Sequence, residues 1–188
     1  MKVKRVLVFL CCLVAAMFFL SFIHEFGHSL PVLVKGGGIT RMVVYGYELI
    51  PDFGRRSHIS LTGFTVPKWP EGYQPTNFWL GLMMFSGSGS TLLVAIIASL
   101  LLWIIKPKYI LKNILVAFSF HSFDIFRYSF LGVLGSVHSV IHRTEPIDGL
   151  IMMGLSKQES LAIVLIAVTI VMTIVFIYLK KYSPEKRK

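Results

Sequence analysis

Cysteine is nearly absent: the chain has two, Cys11 and Cys12. Adjacent thiols inside an apolar run offer neither a disulfide framework nor a metal-binding spacing, so packing is their expected role. Charged residues are also scarce at 15%, while 55% of the residues are hydrophobic and the mean hydropathy is +0.72. That composition excludes a water-facing fold of this length and implies an integral membrane protein. Acidic residues are scarcest, with 9 Asp and Glu against 19 Lys and Arg, for a net charge of +10. The first apolar run starts like a signal peptide, yet it shows no small-residue cleavage site and is expected to be retained. No internal repeat is evident.

The basic excess does not point to nucleic acid, because it sits in short clusters flanking the apolar runs, where anionic lipid and topology rules account for it. The lipid bilayer is therefore the expected partner, and no nucleic acid. Crossing about 30 Å of hydrocarbon takes roughly 20 helical residues. Runs of that length cover residues 6–34, 78–105, 109–137 and 161–179. Lys2, Lys4 and Arg5, then Lys106, Lys108 and Lys112, then Lys180, Lys181, Lys186, Arg187 and Lys188 mark three segments as cytoplasmic. Four spans put both termini on that side. The expectation is a multi-pass protein of the cell membrane, all-α, with about four transmembrane helices in a single domain over residues 1–188.

Between the first two spans, Gly36, Gly37 and Gly38 end a helix. Strand-like residues follow over Ile39–Leu49 and His58–Val66, separated by Pro51 and Gly54, which predicts a small surface β-hairpin over about 39–66. Trp69, Tyr73 and Trp79 favour the membrane interface as the chain returns. Near the other end, Ser156 and Glu159 form an S-x-x-E capping box that starts the last helix. Residues 148–155 form a separate short helix or a re-entrant turn.

The chemistry centres on His24-Glu25-Phe26-Gly27-His28, an H-E-x-x-H motif. On a helix the two histidines lie one turn apart and both imidazoles can reach one metal ion. Zinc needs neutral imidazoles, a third ligand and an open position, and Glu25 beside it would act as general base, removing a proton from the attacking water and later passing it to the leaving amine. The bland alternative is three hydrogen-bonded, inert side chains. Three ionisable residues within five positions of a membrane helix are costly unless they pair, bind metal or line water, which favours function.

The third ligand has two candidates. His24 lies about 27 Å along its helix from Val6, close to the far surface, and Asp124 about 22 Å along the third span from Tyr109. Asp148, in Pro146-Ile147-Asp148-Gly149, belongs to the connection on that side, where a turn brings its carboxylate inward; it is the favoured ligand. Asp124 has Arg127 one turn on to neutralise it. His138 and His142 repeat the four-residue spacing without a glutamate and read as loop or supporting residues, while His58 and His121 have no companion. Gly87 and Gly89, within Ser86–Thr91, read as close helix packing that could also let the metal-bearing helix approach.

Taken together, these motifs resemble the site-2 protease family of intramembrane zinc metalloproteases, especially its compact archaeal and bacterial members. His24 to His28 is similar to the family's H-E-x-x-H, Ser86 to Thr91 to its glycine-containing segment, and Pro146 to Gly149 to its aspartate-glycine motif. The resemblance implies one zinc ion on His24, His28 and Asp148, Glu25 as catalytic base, and hydrolysis of peptide bonds in or beside transmembrane segments of a membrane-protein or peptide substrate. The glycine segment departs from the family pattern, with Ser88 after Gly87 and Thr91 where an asparagine is expected. Two other readings stay open: a catalytically silent metal-binding membrane partner, and a non-proteolytic membrane hydrolase or transporter.

Overall fold

A computed structural model describes residues 2–57, 63–134 and 145–182. His58, His138 and His142 lie outside the described residues. Helix α1 (Lys2–Val34) is apolar on every side, and its 33 residues make a rod of about 50 Å. It ends where Gly36 adopts φ +80° and the Lys35 and Gly37 amides both donate to the Val32 carbonyl.

The chain then forms a three-stranded antiparallel sheet of order β2-β1-β3, with β1 at Gly38–Val44, β2 at Tyr47–Ile50 and β3 at Phe64–Lys68. The single strand expected over Ile39–Leu49 is thus itself a hairpin. Tyr45 and Gly46 both take positive φ, 51° and 77°, the geometry of a two-residue turn that matches strand twist. The expected partner strand begins at Phe64, and β1 becomes the central strand.

Helix α2 (Asn77–Ile105) matches its expected span and ends on Lys106 in the left-handed region. Of the expected third span, 109–137, the described part to Leu134 is two helices, α3 (Tyr109–Phe120) and α4 (Ser122–Leu134). They meet at His121, whose amide bonds the Phe118 carbonyl and whose Nδ1 lies 3.1 Å from the Ala117 carbonyl. A tightened turn at a polar residue interrupts the apolar run, and among the described residues neither half alone is long enough to cross the hydrocarbon. Helix α5 (Glu145–Met152) precedes α6 (Lys157–Lys181), which starts on the expected capping box: Ser156 Oγ accepts from the Glu159 amide, and the Ser156 amide donates to the Glu159 carboxylate.

Among the described residues, three helices are long and apolar enough to span a membrane: Val3–Val34, Asn77–Ile105 and Lys157–Lys181. Their outward faces agree. Leu7, Val14, Phe18, Leu93, Ile97, Ile104, Ile166, Ile170 and Phe176 are all exposed, a surface far more apolar than water tolerates. The inward faces use small residues. Gly81, Gly87, Ser88, Thr91, Ala95, Ala98 and Ser99 of α2 are buried, which lets neighbouring backbones come close without a hydrophobic drive between helices. Ser86 Oγ donates to the Gly27 carbonyl at 2.8 Å, tying α2 to α1 beside the H-E-x-x-H turn. Basic residues gather at one end of the bundle. Tyr109 donates to the Arg5 carbonyl, Lys181 lies over the Trp103 ring and Lys112 over Tyr178.

Candidate metal centre

His24 and His28 are one turn apart on α1, and their Nε2 atoms face each other at 3.3 Å. What each ring does with its other nitrogen decides what that proximity means. His28 Nδ1 is 2.8 Å from the Met83 carbonyl of α2, and His24 Nδ1 is 3.0 Å from Oδ2 of Asp124 on α4. A carbonyl and a carboxylate only accept, so both Nδ1 atoms carry the proton and donate it. With both Nδ1 atoms donating outward, the two Nε2 atoms can share one proton or, as neutral rings, turn both lone pairs on one cation.

The third donor comes from α5. Glu145 Oε2 lies 3.5 Å from His28 Nε2, and the ligand atoms of His24, His28 and Glu145 all fall within 4.8 Å of one another. These three residues could hold a metal ion. The donor set suits zinc: two nitrogens each about 2.0–2.1 Å from a tetrahedral ion sit roughly 3.3–3.4 Å apart, and the observed separation is 3.3 Å. Two neutral imidazoles with a carboxylate are also a donor set typical of catalytic zinc.

The supports behind the ligands are as specific as the ligands. Asp124 accepts from Thr91 Oγ1 at 3.1 Å as well as from His24, and its other oxygen is 3.8 Å from Arg127. The Tyr128 ring stacks on His24 at 4.8 Å with an interplanar angle of 25°. Orientation of a ligating histidine by a carboxylate on its far nitrogen fixes both tautomer and ring plane. Gly87 leaves room for the other ring, since a Cβ there would fall on Nε2 of His28.

Glu25 points from the same turn of α1 toward the sheet. It is buried, and Thr65 Oγ1 on β3 reaches both its main-chain carbonyl, at 2.8 Å, and its Oε2, at 3.1 Å. Gly63 passes so close that a Cβ there would meet the Glu25 carboxylate. His24 and Glu25 both line one cleft that His121, Asp124 and Arg127 also face.

Of the residues singled out from sequence, the structure brings together His24, His28, Glu25 and Asp124. Asp148 is half-buried on α5, one turn beyond Glu145, and is not among the three clustered donors. Gly149 faces α2 rather than the donors: a Cβ there would come within 2.6 Å of the Gly81 carbonyl oxygen. Sequence reasoning passed over Glu145, Thr65 and Gly63. Glu145 had one visible signal, an acidic residue immediately before the proline of the aspartate-glycine motif; Thr65 and Gly63 had none. No protein-family model matches this chain, and neither does any curated protein or solved structure.

Proposed function

We propose that the chain is a zinc-dependent intramembrane endopeptidase cutting peptide bonds in or near transmembrane segments, similar to the site-2 protease family. The observation that carries this reading is the pair of facing Nε2 atoms of His24 and His28, 3.3 Å apart beside a buried glutamate on the same turn. Support comes also from depth: the donors lie toward the far end of a helix long and apolar enough to span the membrane.

Zinc held by His24, His28 and a carboxylate of α5 would polarise the scissile carbonyl and make water a stronger acid. Glu25 takes the proton from the attacking water and returns it to the departing amine, a transfer its place beside His24 allows. Thr65 holds the carboxylate for that exchange. The burial of His24 and Glu25 strengthens every charge interaction in the site. Of the two α5 carboxylates, the clustering favours Glu145, whereas the family resemblance implies Asp148.

One observation favours the silent-partner reading: Thr91, standing where the family pattern expects asparagine, spends its hydroxyl on the Ser88 carbonyl and Asp124. The discriminating experiment pairs zinc content with cleavage of a transmembrane substrate. Near-stoichiometric zinc in wild type and Glu25→Gln, loss in His24→Ala, and cleavage by wild type alone are expected. Zinc in both with equal cleavage by both, or with cleavage by neither, would sink the endopeptidase.

A further inference from the structure

A cleft of about 180 Å³ runs from His24 and Glu25 between α1, α4 and the sheet. Met17, Leu20 and Ser21 form its α1 wall, at one-turn spacings from His24. Met17 lies seven residues before His24, so the cleft extends about 10 Å from the catalytic end toward the middle of the helix. Any group that fills it sits directly beside the bond presented to Glu25.

Several polar atoms of its walls are already engaged within the protein. Ser21 donates to the Met17 carbonyl at 2.9 Å and shares a 2.7 Å hydrogen bond with the Tyr45 hydroxyl. Thr91 donates to Asp124, Asp124 accepts from His24, and His121 Nδ1 bonds the Ala117 carbonyl. Along Ser21, Tyr45 and Thr91 a polar occupant would give up water without a replacement partner; Glu25 and Arg127 are charged groups that face the cleft. An apolar occupant gains by burying its surface against Met17, Leu20 and the Tyr45 ring. The volume is on the order of the ~150 Å³ cavity that accepts benzene in another protein.

Tyr45 adds evidence that the cleft is built. It stands at the first position of the β1–β2 turn, whose geometry sets its φ of 51° and aims its ring at α1. Its ring packs over α1 against Phe18, with centroids 4.6 Å apart and planes tilted by 53°. The turn thus delivers an aromatic wall to the cleft.

We propose that this cleft is a recognition pocket for one large apolar side chain, of phenylalanine or leucine size, adjacent to the scissile bond, with Met17, Leu20 and Tyr45 setting its size. The inference rests on the endopeptidase reading and adds a substrate preference to it. The rival occupant is an acidic side chain paired with Arg127, which stands 59% exposed at the rim.

The test uses zinc-loaded full-length protein and membrane-anchored peptides in which each residue flanking the cleaved bond is varied in turn among Phe, Leu, Ala, Trp and Glu. At one of the two positions Phe or Leu should exceed Ala in kcat/KM by about 10-fold or more, the lower bound for discrimination by one methylene in an apolar pocket. Met17→Trp should fill the cleft and abolish that preference, and Tyr45→Gly, which also relieves the positive φ, should admit Trp. Equal cleavage of Ala and Phe peptides at both positions, a preference for Glu, or an unchanged preference in both variants overturns the pocket while leaving the endopeptidase intact. No cleavage of any peptide overturns the endopeptidase and the pocket with it.

Discussion

Thr65 and Glu25 are forty residues apart in sequence, yet one hydroxyl of β3 reaches both the backbone carbonyl and the carboxylate of the glutamate, at 2.8 and 3.1 Å. The sheet therefore braces the proposed general base from outside the helix that carries it. Thr65→Val keeps shape and removes the donor. It should lower kcat about 10-fold, a fraction of the ~10²–10⁴ that general base catalysis contributes, with KM and zinc content unchanged. Thr65→Ser should restore most of the rate. A fall in zinc content alongside kcat would show that Thr65 supports the fold rather than the base.

Asp124 stands behind His24 as Met83 stands behind His28. Removing such a supporting carboxylate typically costs 10–100-fold in metal affinity. Asp124→Ala should weaken zinc binding by about that factor in a chelator competition, and Asp124→Asn, which can still accept from Nδ1, by less. Equal affinity in wild type and Asp124→Ala would mean the hydrogen bond does not orient the ring.

Gly87 and Gly89 look alike in sequence and differ in what they face. A Cβ on Gly87 falls on His28, whereas one on Gly89 meets the Phe85 ring of its own helix at 2.8 Å. Gly87→Ala should therefore lose most of its bound zinc even though alanine favours the helix by about 1 kcal/mol. Gly89→Ala should keep it, because a side-chain ring can turn aside. Zinc retained in both would remove the close approach from the account of the site.

The legible part of this protein was local. The H-E-x-x-H turn, the capping box at Ser156 and the apolar runs of α1, α2 and α6 depend on neighbours within a few residues, and each reads directly from spacing. The break at His121 did not, because a run of apolar length hides a turn whose cause is one side chain and its carbonyls. Nor did the middle strand. Tyr45 is an unusual residue for a positive φ, so the turn that splits Ile39–Leu49 carried only Gly46 as its signal. At the site, His24 and His28 announced themselves, but Thr65 and Gly63 reach Glu25 only through the sheet, and no sequence period records that pairing.

The two carboxylates of α5 give the decisive contrast. Glu145 and Asp148 both lie in the first turn of α5, but only the Glu145 oxygen, on the longer side chain, clusters with both imidazole nitrogens. A metal that bridges α1 and α5 binds the folded state alone, so it stabilises by mass action, about 2.7 kcal/mol when free zinc is 100 times Kd. Thermal unfolding in detergent with and without zinc should show a raised midpoint in wild type, no rise in His28→Ala or Glu145→Gln, and an undiminished rise in Asp148→Asn. The opposite pattern, with Asp148→Asn insensitive to zinc and Glu145→Gln responding like wild type, would return the third ligand to the residue that the motif resemblance implies. Equal loss in both would mean that α5 contributes two oxygens, leaving less of the coordination sphere open and weakening the case for catalysis.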